Sequence, residues 1–241
     1  MDALAALRLQ MEWGADEALD PAPLDRFAAA PAVRPALRLA PAAPLPAPPI
    51  TAPPAANLDE LYAQLDAFEG CGLRATATTT VRPDGDAASG LVLIGEAPGA
   101  DDDRCGRAFS GALGDTLDRV LGSIGLDRSA VLLTTLVPWR PPGNRPVTEA
   151  EIRSCLPFLL RLLALVRPQR MLLLGAAPVR VLTGNADPVR RLRGKWHNSL
   201  IINGDLSVPA LPMAPLDHWL RSPTAKRETW ADLLLLRSTL G

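Results

Sequence analysis

The chain has 241 residues, of which 48% are hydrophobic and 21% charged, and its formal net charge is −1. That length accommodates one ordinary domain plus an appendage, and the apolar fraction suits a packed core. Near-neutrality removes any global attraction to nucleic acid, so contact with phosphates has to come from local basic clusters. No basic stretch followed by an apolar one opens the chain, and no run of about 18 apolar residues is present to cross a bilayer. A soluble, cytoplasmic protein with no membrane association is expected. Cys71, Cys105 and Cys155 are odd in number and widely spaced, which argues against a disulfide framework.

Residues 1–20 predict an N-terminal helix, with Leu4, Leu7, Met11 and Trp13 at roughly helical spacing and Asp20–Pro21 to end it. Residues 21–57 predict a Pro/Ala-rich linker, in which Pro44, Pro46, Pro48, Pro49, Pro53 and Pro54 favour extended polyproline geometry. A domain spanning 58–241 follows. Within it Leu58 to Phe68 reads as a helix, and strands over Leu91–Ile94, Val131–Val137 and Met171–Leu174 alternate with helices over Ala112–Ile124 and Glu149–Val166. That alternation predicts an α/β fold, a three-layer α/β/α sandwich around a short parallel sheet with right-handed crossovers. Thr148 and Glu151 have the spacing of a capping box. Leu206–Leu211 reads as a further strand, and Thr224–Leu240 as a closing helix.

The run Leu91 to Ile94 is continuously apolar, as in a strand buried on both faces, and Gly95, Pro98 and Gly99 stop it abruptly. Ligands of open parallel sheets sit beyond the carboxyl ends of the strands. A site is therefore expected just after Gly95. The acids that follow, Asp101 to Asp103, read by themselves as a solvated surface.

Several separated motifs converge on one family. Gly-Glu-Ala-Pro-Gly at 95–99, Gly106-Arg107-x-Phe109, Arg-Pro-Pro-Gly-Asn-Arg at 140–145, Leu-Leu-Gly-x-Ala at 173–177, Arg193-Gly194 and Leu-Arg-Ser-Pro-x-x-Lys-Arg at 220–227 occur in order. Together they resemble the type 4 uracil-DNA glycosylases, over about residues 61 to 238. The resemblance implies an enzyme of base excision repair that flips a uracil out of DNA into a pocket and hydrolyses its bond to the sugar. It places Gly95, Glu96 and Ala97 in the turn lining that pocket, Phe109 as the stacking ring, and Asp102 at the catalytic acid position. A carboxylate there orients water against a sugar with oxocarbenium character. Arg140, Asn144, Arg145, Arg193 and Arg221 lie in the basic segments expected to touch DNA.

The chain departs from the family pattern at three places. Four cysteines of the pattern hold an iron-sulfur cluster; here they match Phe68, Cys71, Trp139 and Cys155, and two thiols do not complete a four-cysteine site. No cofactor and no metal are therefore expected. The uracil-reading asparagine falls on Thr135, which has one hydroxyl to offer. The histidine that stabilises the departing base falls on Pro215, or with a gap on Ala214, leaving nearby His218 as the candidate substitute. Two functions follow as expectations: a glycosylase acting on uracil or a related deaminated base, or a catalytically impaired relative that binds DNA or a repair partner. The expected partner is DNA carrying a damaged base, met by a monomer, with a protein partner for the N-terminal helix.

Overall fold

A computed structural model describes residues 53–200, 207–219 and 221–240. The N-terminal helix expected over 1–20, most of the expected linker, and the first residue of the strand expected over 206–211 lie outside the described residues. The end of that linker is packed: Ala55 is fully buried, its carbonyl accepts from Arg161 Nε at 2.7 Å, and Asn57 caps the first described helix by accepting from Glu60 N at 2.9 Å.

The described elements are, in order, α1 (Leu58–Ala67), β1 (Asp84–Gly85), β2 (Leu91–Gly95), α2 (Ala100–Cys105), α3 (Gly111–Ser123), β3 (Leu132–Thr135), α4 (Glu149–Val166), β4 (Arg170–Leu174), α5 (Ala176–Thr183), α6 (Val189–Leu192), β5 (His197–Asn198), β6 (Pro209–Met213) and α7 (Pro223–Ser238). One sheet runs in the order β1-β3-β2-β4-β6-β5. Its four inner strands are parallel, with Val92 opposite Leu132 and Met171, and Leu172 opposite Leu211. The short edge strands β1 and β5 are antiparallel, so the sheet is mixed where a purely parallel one was expected. Each edge strand has only two residues, which limits the unpaired backbone it offers to other chains.

Strand periodicity sends alternate residues to opposite layers. Val92, Ile94, Leu132, Met171, Leu173 and Ala210 face one core, closed by Leu61 of α1, Leu159 and Leu163 of α4, Leu182 of α5 and Leu192 of α6. Leu91, Leu93, Leu133, Leu172, Leu174 and Leu211 face the other, closed by Leu117 and Leu121 of α3, Leu233 and Leu236 of α7 and Trp219. The three-layer α/β/α sandwich is thereby confirmed. The capping box is also present: Thr148 N donates to Glu151 Oε2 at 2.8 Å and Glu151 N to Thr148 Oγ1 at 3.3 Å. No described helix is long and apolar enough to cross a membrane.

Candidate active site

A cavity of about 400 Å³ opens where β2 ends, lined by Gly95, Glu96, Ala97, Asp102, Phe109 and Leu174. Glycine at 95 is required by contact, because a Cβ there would lie 2.7 Å from Phe109 Cζ. The phenyl ring thus lies against the strand end itself. Phe109 adopts a left-handed backbone conformation, φ 55°, which is uncommon for a bulky residue and has to be held by its surroundings. Arg128 Nη2 donates to the Phe109 carbonyl at 2.5 Å, while its other nitrogens bond Asp84 and Asp118. Gly114 of α3 completes the brace, since a Cβ there would sit 2.0 Å from that same carbonyl oxygen.

The aspartate run is not the solvated surface its composition suggests. Asp102 and Asp103 are 8% and 4% exposed. Asp102 accepts from Gly99 N at 2.8 Å through one oxygen and from Ser110 N at 2.5 Å through the other, so it ties the turn after β2 to the segment carrying Phe109. Each of its oxygens keeps a further lone pair for a water. Asp103 accepts from the Thr78 and Thr79 backbone at 2.8 and 3.2 Å and anchors the preceding loop. Glu96 differs from both: half-buried, its carboxyl is pushed above the usual range by burial, an effect the positive charge of Arg180 partly offsets.

Asn144 and Arg145 also line the cavity, from a tight turn in which Gly143 and Asn144 have φ of 63° and 55°. Arg140 Nε donates to Asn144 Oδ1 at 2.7 Å, and Arg145 pairs with Glu151 at 2.5 Å, which holds the Glu151 carboxyl down to about 2. Arg221 is exposed and pairs with Asp217 at 2.6 Å.

Three expected site residues stand elsewhere. Thr135 is buried and spends its hydroxyl on the Val137 carbonyl at 2.8 Å, facing a separate cavity of about 40 Å³ lined by Leu61, Leu65 and Phe158. His218 is exposed beside Asp217, Nε2 to Oδ2 3.7 Å, and it is Pro215, Leu216 and Asp217 of that turn that line the main cavity. His218 ends the three-residue 3₁₀ turn Leu216–His218 and is not among the residues lining that cavity. The Arg193 side chain is 15% exposed and bonds the buried Asp232 at 2.8 Å. Sequence reasoning missed Arg128 and Gly114, because Asp84, Asp118 and Arg128 meet only after folding.

At the positions of the family's four cysteines, the Phe68 and Trp139 rings stack at 6.3 Å with an interplanar angle of 17°. Cys71 and Cys155 are buried among them with Leu65, Leu73 and Val137. The hydrogen bond from Cys155 brings Cys71 down to about 7, while that bond and burial push Cys155 up.

The family model of the uracil DNA glycosylase superfamily matches residues 82–234. The chain is similar to the type-4 uracil-DNA glycosylase of Pyrobaculum aerophilum, 30% identical over 185 residues, covering 74% of this chain and 92% of that protein. It is also similar to those of Archaeoglobus fulgidus, 34% identical over 143 residues, 58% of this chain and 72% of that one, and Saccharolobus solfataricus, 33% identical over 146 residues, 58% and 68%. These relatives correct the cofactor expectation: they are type-4 proteins, the group that carries an iron-sulfur cluster, so a cofactor-free chain does not stand as a conclusion. The two thiols and two stacked rings described above do not fit a four-sulfur ligand set, and no chemical step below passes through a cluster. The matched span contains the turn after β2, the Phe109 shelf and the basic turn beside it, and the chain belongs to the uracil-DNA glycosylase superfamily.

Proposed function

We propose that this chain is a DNA glycosylase that excises uracil, or a related deaminated base, by hydrolysing the N-glycosidic bond in DNA. The observation that carries this reading is the Phe109 ring fixed against Gly95 in a cavity that also holds Asp102 and Glu96. Extruding a nucleotide costs a few kcal/mol, which the cavity has to return. Stacking on an aromatic ring returns about 1 to 3 kcal/mol per base, and the brace from Arg128 and Gly114 means the ring is already in place when the base arrives. Asp102, oriented by two backbone N–H groups, holds water against the anomeric carbon and takes up its proton as the bond to the base opens. Arg140 and Arg145 offer phosphate contacts next to the opening, and Arg221 extends them along the chain's basic tail.

A second reading, a relative that binds DNA without excision, is favoured by Pro215 and Thr135. Neither puts a side-chain donor into the cavity. Incubation with single- and double-stranded oligonucleotides carrying one uracil, followed by alkaline cleavage, separates the two. Strand breaks at the uracil support excision; intact strands that are nonetheless retained by the protein support binding alone.

A further inference from the structure

The turns carrying Glu96 and Pro215 meet at Gly175. Its φ is 100°, and a Cβ built on it would lie 3.4 Å from Glu96 Oε2 and 3.6 Å from Pro215 Cγ. The carboxyl and the proline ring therefore flank one point, and both line the cavity that holds Phe109. Pro215 stands where the ungapped resemblance puts the histidine that steadies the departing base, a gap moving it to Ala214, and neither residue has a side-chain donor. Among the described residues no side chain hydrogen-bonds or ion-pairs with the Glu96 carboxyl. The cation acting on it, Arg180 of α5, is itself paired with Glu149. The other charged groups lining the cavity have partners of their own: Asp101 with Arg104, Asp102 with two backbone N–H groups, Arg145 with Glu151, and Asp217 with Arg221.

We propose that Glu96 is the leaving-group acid of this enzyme, donating from its neutral carboxyl the hydrogen bond that a histidine at position 215 would have supplied. The inference rests on reading the cavity as a base-excision site. As the bond between sugar and base breaks, its electron pair passes to the base, and the Glu96 O–H proton moves onto a base carbonyl oxygen or ring nitrogen. Water bonds to the anomeric carbon and gives its proton to Asp102; exchange with solvent then returns both carboxyls to their starting states. A neutral carboxyl is required because an ionised one would repel the anion forming beside it. Burial favours that neutral form, and a base entering the cavity displaces further water in the same direction.

The test compares wild type, Glu96→Gln and Glu96→Ala in single-turnover excision from oligonucleotides carrying uracil or 5-fluorouracil, whose anion needs less help to leave. Melting temperatures check that each variant is folded. Glu96→Ala is expected to lose about 10² to 10³-fold on uracil and distinctly less on 5-fluorouracil. Pro215→His added to Glu96→Ala is expected to recover part of the rate. In wild type the rate falls as pH rises through the Glu96 titration, and Glu96→Gln, whose amide donates at every pH, lacks that fall. An equal loss on both bases, or the same alkaline fall in Glu96→Gln, overturns the proposal while leaving excision standing. A folded wild type that releases neither base overturns the excision reading, and this proposal with it.

Discussion

Two regions of the molecule depart from the family pattern, and they tolerate the departure differently. Around Trp139 two of the positions that match the family's cysteines carry stacked rings inside an apolar cluster, so the space there is filled by packing. Around Phe109 the position that matches the histidine carries Pro215, which has no side-chain donor, and a cavity of about 400 Å³ stays open. A core has to be filled because every missing contact costs stability. A pocket has to stay empty until its ligand enters, so a lost polar group there is made good only by another polar group nearby, which is the place argued for Glu96.

This contrast predicts that mutations in the two regions separate stability from activity. Trp139→Ala removes a residue 1% exposed and is expected to cost about 3 to 5 kcal/mol of stability. Its excision rate, measured below the melting transition, should change far less; a selective loss of activity without loss of stability would break the contrast. Phe109→Ala is the reverse case, expected to lower excision by roughly 5- to 150-fold through about 1 to 3 kcal/mol of lost stacking, with an unchanged rate removing Phe109 from the site.

The turn between the regions responds to acid. Glu151 is held down to about 2 by Arg145, below its ordinary value near 4.5, so its stabilising contribution is complete above the higher value and lost as pH falls toward the lower. Melting temperature should decline through that window in wild type and less steeply in Glu151→Gln; equal slopes would mean that the pair does not brace the turn. The smallest effect is expected at Thr135, on the border of both regions. Thr135→Val loses one buried hydrogen bond, about 1 kcal/mol, and leaves excision unchanged because the hydroxyl faces Val137. A drop in excision at unchanged stability would return Thr135 to the pocket.

Much of the fold was legible in the chain because strand and helix periodicities are local. The runs at 91–94 and 171–174 are apolar on both faces, and they became inner, parallel strands of the mixed sheet. The Thr148 box was legible for the same reason, its partners being three residues apart. The expected linker was less so, since nothing in the alanines and prolines announces that Ala55 docks on Arg161. At the site, the glycine turn and the stacking ring came from motif spacing, whereas the burial of Asp102 and Asp103 ran against the ordinary expectation for consecutive acids.

The sequence by itself determined the strand order's raw material, the turn that ends β2 and the family of the chain, because each depends on neighbours within a few residues or on motifs kept in order. Only the tertiary structure decided which candidates share a cavity. Arg128 reaches Phe109 across 19 residues and Asp84 across 44, Glu96 and Pro215 both approach Gly175, and His218 stays off the cavity that Pro215, Leu216 and Asp217 line. Such meetings are set by how the layers pack and how short turns aim their side chains, and neither is written in any single stretch of chain.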